Sequence, residues 1–290
     1  MRSGFVILNF NSWKLTKFLA EKVSSFHNID KVIIVDNFST DDSYEHLKEL
    51  QSDNIEVILS DKNGGYSYGN NLGAWHCKDQ SIDILFIANP DVDIQEEDIS
   101  KILEGFKNSD YSILSGVEYD INGRMSEPPL WKQMTFKDDF IDCFFLGRKF
   151  VNSKKGIQLK KNLKIQSAEI VKGSFFGIRL EEFLELGGFD ERVFLFCEER
   201  ILAHKLINTG RKIGIVTGAK YFHNHSAAIN KTYKAVSSQI KILYKSRMYY
   251  NKHYLQIGRL KRILLKSAME ISVLEYKLLD LVKAIRSRTD

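Results

Sequence analysis

The sequence predicts an α/β protein in which a mostly parallel sheet is flanked by helices and followed by a basic C-terminal helical extension. Three observations lead to this reading. Short apolar runs recur through the first hundred residues, each followed by a polar loop and a helical pattern. The runs are continuously apolar rather than alternating, as expected of strands buried on both faces. Charge is also unevenly divided: residues 231–290 hold 14 Lys/Arg against 4 Asp/Glu, and residues 1–230 hold 28 against 33. The expected organisation is therefore one domain over 1–230 and a basic amphipathic extension over 231–290.

Phe5–Leu8 reads as the first strand, and Ser12 as the cap of a helix to about Phe26 with Leu15, Phe18, Leu19 and Val23 on one face. Val32–Val35 is the second strand, a short helix spans about 43–50, and Ile55–Leu59 is the third strand. The glycine-bearing segment Asn63–Asn71 opens another helix, and Ile82–Ile87 is the fourth strand, ending at Asn89-Pro90-Asp91-Val92-Asp93. The pattern loosens from about 120, and residues 148–164 carry seven Lys/Arg and no acid, as a stretch that binds phosphates of an acceptor or as a solvated loop. A strand over Ile170–Ile178, a helix over about 180–186, a helix from Glu198 to Asn208 and strand-like Ile213–Val216 and Tyr221–His225 complete the body.

Composition narrows the function classes. Hydrophobic residues make up 43% and charged residues 27% of 290, which excludes disordered and fibrous chains. No apolar run approaches the ~18 residues of a membrane span, and the opening segment lacks a signal-peptide apolar stretch. Cys77, Cys143 and Cys197 are too scattered for a disulfide framework or a CxxC site, so a reducing, cytoplasmic compartment is expected. No nucleic-acid motif accompanies the basic residues, and no nucleic-acid partner is expected.

In parallel sheets ligands bind beyond the carboxyl ends of the strands. Those ends carry Asn9 and Asn11, Asp36 and Asn37, and Asn89, Asp91 and Asp93. Asp91 and Asp93, two residues apart, can offer oxygens to a divalent metal that also grips a diphosphate, or simply form a solvated turn before the helix near Glu96. Asp36 can accept an N–H from a pyrimidine ring, or cap its own loop at Ser39 and Thr40. The Asn63–Gly73 glycines match neither the P-loop nor a dinucleotide-binding pattern, and serve close backbone approach to a ligand or helix packing. Glu198 and Glu199 follow an apolar wall, where mutual repulsion would tune one as a base; alternatively they meet the positive end of a helix. His223 and His225 alternate on a strand, as metal ligands or as hydrogen-bonded buried histidines.

Taken in order, these pieces resemble glycosyltransferase family 2, particularly its bacterial rhamnosyltransferase-like members. The matching segments are Val6–Asn11, Val35-Asp36-Asn37 with Ser39–Asp41, Asn63 and Gly65, Gly69-Asn70-Asn71 with Gly73, and Asn89-Pro90-Asp91 with Asp93. Gly173-Ser174, Gly187–Glu191, Glu198-Glu199 and His223 continue the series, which spans about 5–226. The resemblance implies the nucleotide-sugar-binding GT-A fold. It also implies roles: Asp36 at the nucleobase, Asn9 and Gly65 through Asn70 and Asn71 lining the nucleotide pocket, and Asn89 and Asp91 on the nucleotide sugar. Asp91, Asp93 and His223 would hold Mn2+ or Mg2+, and Glu199, beside Glu198, would be the base. Where the family has Glu-Asp, then a second Asp and a later Arg, this chain has Glu198-Glu199, Ile201 and Lys205, so Glu199 is longer by a methylene than the residue it matches; the Gln-x-x-Arg-Trp motif of processive synthases is absent.

The expected activity is an inverting, metal-dependent transfer of one sugar from a UDP- or dTDP-sugar to a saccharide or lipid-linked acceptor of a bacterial surface polysaccharide. The alternatives are a non-catalytic nucleotide-sugar-binding scaffold and a sugar nucleotidyltransferase. The basic tail has three candidate partners: an anionic membrane surface reached peripherally from the cytoplasm, a second copy in a homodimer, or the domain itself.

Overall fold

A computed structural model of the protein describes residues 1–160, 162–224 and 236–286. One half of its sheet is four parallel strands in the order β3-β2-β1-β4: β1 (Ser3–Asn9), β2 (Lys31–Asp36), β3 (Ile55–Leu59) and β4 (Ile84–Ala88). The helices α1 (Trp13–Ser24), α2 (Ser43–Lys48) and α3 (Gly65–His76) connect them. Alternate residues of β1 enter two different cores. Phe5 and Ile7 pack with Leu19 and Val23 of α1, whereas Val6 packs with Ala74 of α3. The continuous apolar runs thus serve a sheet covered on both faces, as expected.

The expected face of α1 is rotated. Thr16, Leu19, Ala20 and Val23 are buried and Phe18 is 63% exposed, because Thr16 Oγ1 donates to Asn9 Oδ1 (2.8 Å) and turns that side of the helix to the sheet. Ser12 serves the helix start through its carbonyl, which accepts from Leu15 and Thr16; its hydroxyl makes no cap bond.

The second half of the sheet departs further from the expectation. After β5 (Val92–Ile94) and α4 (Glu96–Lys107) comes β6 (Tyr111–Tyr119), a strand outside the expected set, whose apolar run is interrupted by Ser112, Ser115, Gly116 and Glu118. The stretch expected to be loose holds β7 (Leu130–Trp131), α5 (Phe136–Asp142), α6 (Phe145–Lys155), β8 (Gly156–Ile157) and β9 (Ile165–Ala168). Thr135 caps α5 in a reciprocal box with Asp138, and half of the basic 148–164 segment is helix, not loop. The strand expected over 170–178 is confined to β10 (Phe175–Arg179), which runs antiparallel between β4 and β6.

The helices α7 (Leu180–Glu185) and α8 (Glu198–Asn208) follow, and then β11 (Lys212–His223). This one strand fuses the two expected segments, with a register shift between Ile215 and Lys220; it pairs with β6, β9 and β5. His225 and the expected boundary near 230 lie outside the described residues.

Two basic helices, α9 (Val236–His253) and α10 (Arg259–Arg286), close the chain. They pack on the body. Tyr244, Leu265, Ala268 and Met269 share a core with Cys143 after α5, and Tyr250 is buried against Val193 and Ile201. All three cysteines are free and buried. Among the described residues no helix is long and apolar enough to cross a membrane.

Candidate functional site

Register places Asn9 and Asp36 side by side at the ends of β1 and β2. Asn9 Nδ2 donates to Asp36 Oδ2 (2.7 Å), whose other oxygen accepts the Ser39 N–H (2.9 Å) while the Ser39 hydroxyl bonds Oδ2. Asp36 is fully buried, so in this structure it caps its loop, the plainer of its two readings. Beyond it Asn11 and Phe38 take left-handed backbone angles (φ 52° and 61°), and Phe38 is half exposed at the rim.

The glycine segment is explained mainly by packing. Gly65 has φ +83°, and a Cβ there would stand 2.1 Å from the Phe194 carbonyl, which the Tyr66 N–H meets at 2.8 Å. The expected ligand roles of Asn70 and Asn71 do not match their contacts, since both point inward. Asn70 Nδ2 donates to the Tyr66 carbonyl, and Asn71 exchanges bonds with the Phe189 backbone and donates to Glu191 Oε1. Asn71 therefore fixes the Gly187–Glu191 turn that leads toward α8.

At the end of β4, Asn89 N–H donates to the Ser174 carbonyl (2.9 Å), fixing the turn that carries Asp91. The expected trio of Asp91, Asp93 and His223 is not assembled. Asp93 enters β5 opposite Phe222, and its carboxylate pairs with Lys22 of α1. Asp91 instead faces His223: Oδ1 lies 3.2 Å from Nε2, at ion-pair distance, and this buried oxygen has no hydrogen-bond partner among the described residues. The other ring nitrogen, Nδ1, lies 3.3 Å from Glu118 Oε2. Burial alone would lower the His223 pKa, but Asp91 and Glu118 together raise it to about 9. Burial would likewise raise Glu118, and His223 and Lys172 outweigh it, holding the carboxyl well below its usual range.

Among the described residues no group of three or more His, Cys, Asp or Glu side chains is arranged to hold a metal ion. Two protein ligands still fit one. Adjacent ligands on an octahedral ion with ~2.1 Å bonds stand about 3 Å apart, close to the Asp91–His223 spacing, and Mg2+ takes its remaining ligands from water and phosphate.

Glu198 and Glu199 open α8 after Phe196 and Cys197, two successive left-handed residues (φ 67° and 68°) that set the direction of the helix. Glu198 is buried, its Oε2 without a hydrogen-bond partner among the described residues; burial and then Glu199 push its pKa well above the usual range. Burial also raises Glu199, opposed by its own helix-start N–H and by the charges of Arg200 and Arg247. The helix end therefore does not offset burial, and both carboxyls stand above their ordinary range. A three-residue segment joins them to the Asp91–His223 pair. Lys172 Nζ and Ser174 Oγ donate to the two oxygens of Glu118 (2.8 Å each), and a Cβ on the intervening Gly173 would lie 3.9 Å from Glu198 Oε1 and Glu199 Oε2.

The pattern that defines Glycosyl transferase family 2 matches residues 5–183. The chain belongs to this family. It is similar to the low-salt glycan biosynthesis hexosyltransferase Agl10 of Haloferax volcanii, at 25% identity over 84% of this chain and 73% of that one. It is also similar to rhamnosyltransferase WbbL of Escherichia coli, at 21% identity over 78% of this chain and 92% of the other. The solved mannosyltransferase PcManGT of Pyrobaculum calidifontis, in complex with GDP-Man and Mn2+, has the same GT-A fold. There the TM-score is 0.61 at 14% identity, covering 98% of this chain and 75% of that one.

In this glycosyltransferase a cavity of about 230 Å³ opens beside Glu199, with Trp131, Phe196, Lys172 and Arg247 among its lining. Its floor is an ion cluster drawn from three helices. Arg200 of α8 donates from both terminal nitrogens to Asp139 of α5 (3.0 Å each), Asn251 of α9 donates to Asp139 Oδ2 (2.6 Å), and Arg247 of α9 bonds Asp142 (2.5 Å). Glu118, Lys172 and this cluster were missed from sequence. For Glu118 a signal existed: like Asp36, it is an acid near the end of a strand, although Ser115 and Gly116 break the apolar run before it.

Proposed function

We propose that this glycosyltransferase moves a single sugar, with inversion, from a UDP- or dTDP-sugar to a saccharide or lipid-linked acceptor of a bacterial surface polysaccharide or glycolipid. The observation that carries the reading is the Lys172-Gly173-Ser174 segment, with Asp91 and His223 reached through Glu118 on one side and Glu198 and Glu199 on the other. Donor and base chemistry thus meet across one stretch of backbone. The names of the relatives, a hexosyltransferase and a rhamnosyltransferase, fit the same reading.

Asp91 and His223 would hold a Mn2+ or Mg2+ ion, which supplies the charge that neutralises the departing diphosphate. Glu118 orients His223, presenting Nε2 to Asp91. Asn9, Asp36 and Gly65 shape the nucleotide end of the site, Asp36 by fixing the loop that carries Phe38. Glu199, half-buried at the cavity, accepts the proton of the acceptor hydroxyl as that oxygen attacks the anomeric carbon; attack opposite the leaving group inverts it. The cavity wall, with Trp131, receives the acceptor.

The test is release of nucleoside diphosphate from a panel of UDP-, dTDP- and GDP-sugars with Mn2+ or Mg2+. Asp91→Ala should abolish release and Asp93→Ala should retain most of it, because Asp93 is engaged with Lys22. Loss in Asp93→Ala with retention in Asp91→Ala would overturn the assignment.

A further inference from the structure

Helix α10 buries one side and leaves another bare. Leu265, Ala268, Met269 and Ser272 are no more than 5% exposed, whereas Leu260, Ile263, Leu264, Ile271, Leu274, Leu278 and Leu281 are 47–70% exposed. At 3.6 residues per turn these seven fall on a stripe roughly 100° wide, and at ~1.5 Å per residue it runs about 32 Å. Scattered exposed leucines need no explanation, but seven aliphatic side chains on one stripe of this length, interrupted by Ser267, mark a contact surface.

Charge selects the partner. Residues 236–281 carry nine Lys/Arg against three Asp/Glu, and α9 has no acid. Between α9 and α10 a groove of about 520 Å³ is lined by Met269 and Leu274 together with Lys241, Lys245, Lys266 and Lys277. Leu274 belongs to both groove and stripe. We propose that this face of the α9–α10 pair docks on an anionic lipid bilayer, the aliphatic stripe among the acyl chains and the lysines at the phosphates. Pairing two copies through the same face would instead bring the lysine rims together, with Glu270 the one acid lining the groove among the described residues. No described helix is apolar enough to span, so the helix lies on the bilayer. The proposal stands apart from the sugar-transfer reading.

Sedimentation of the full chain with phosphatidylcholine vesicles, with and without phosphatidylglycerol, tests it. Binding should require phosphatidylglycerol and weaken with salt. Lys266→Gln/Lys277→Gln should lower the partition coefficient about 25-fold, from roughly 1 kcal/mol, or fivefold, per lysine. Leu274→Glu/Leu278→Glu should abolish binding while leaving the melting temperature unchanged, since both residues are exposed. Wild type left in the supernatant, or bound equally to phosphatidylcholine alone, would overturn the proposal. So would a light-scattering dimer that Leu274→Glu/Leu278→Glu dissociates in a protein that ignores vesicles.

Discussion

Asp139→Asn is expected to destabilise the glycosyltransferase by about 3–5 kcal/mol at pH 7, the usual result of removing one partner from a buried ion pair. Asp139 is 2% exposed at its side chain and receives both terminal nitrogens of Arg200, the amide of Asn251 and, at 3.7 Å, Nε of Arg247. An asparagine there keeps one acceptor oxygen. Whichever way its amide turns, an NH2 group faces a guanidinium donor, so Arg200 loses one of its two bonds to residue 139 and keeps the other beside the Tyr250 ring, 4.4 Å away, with no carboxylate charge against it there. The loss corresponds to a melting-temperature drop of about 6–15 °C for a chain of this size.

The pH dependence has a definite sign. Burial would raise the Asp139 pKa, but Arg200 and Arg247 overcome it and leave the carboxyl below its ordinary value. A depressed carboxyl contributes stability above its unfolded pKa of ~3.9 and loses it as pH falls through the folded value. Urea unfolding followed by circular dichroism should therefore show the full gap between wild type and variant at pH 7, closing below about pH 4. A gap under ~1 kcal/mol at pH 7, the size of an exposed pair, or one that persists in acid, would refute the reasoning.

Glu199→Gln should lower kcat by about 10²- to 10⁴-fold with little change in donor binding, measured by steady-state transfer and by nucleotide titration. Glu198→Gln should stabilise the fold, because a carboxyl whose folded pKa is raised costs progressively more stability as pH rises above ~4.3. The melting-temperature gain should be larger at pH 8 than at pH 5, and an unchanged gain would count against a buried Glu198 whose Oε2 has no partner among the described residues. Gly65→Ala forces a Cβ into the Phe194 carbonyl at positive φ, and should cost about 1–3 kcal/mol in urea unfolding while weakening nucleotide binding.

The parallel half of the sheet was legible because Phe5–Leu8, Val32–Val35 and Ile55–Leu59 are unbroken apolar runs, and unbroken runs mean burial on both faces. Asn9, Asp36 and Asp91 were legible for the complementary reason: a polar residue directly after such a run stands at the ligand-binding edge. The same rule reaches Glu118, but Ser112, Ser115 and Gly116 disguise its strand, and their polar groups are accommodated only by tertiary partners such as the Phe175 carbonyl, which accepts from Ser115 Oγ at 2.7 Å. Asp93 shows the limit of spacing arguments. Two acids two residues apart share a face only on one continuous strand, and here the chain turns between β4 and β5. Phe18 shows that an apolar periodicity loses to a single buried hydrogen bond, that of Thr16 to Asn9. The Asp139–Arg200–Arg247 cluster left no trace in sequence, because its members are separated by 61 and 47 residues and no local pattern relates them.

That cluster also decides how the molecule can be divided. The family match ends at residue 183, between Asp139 on one side and Arg200 and Arg247 on the other. Cutting the chain there would strand a buried carboxylate on one fragment and two buried guanidiniums on the other. Exchange of parts with a relative would preserve the protein only if α5, α8 and α9 travelled together. The unit of recombination is thus set by three helices distant in sequence, not by the end of the region that family members most visibly share.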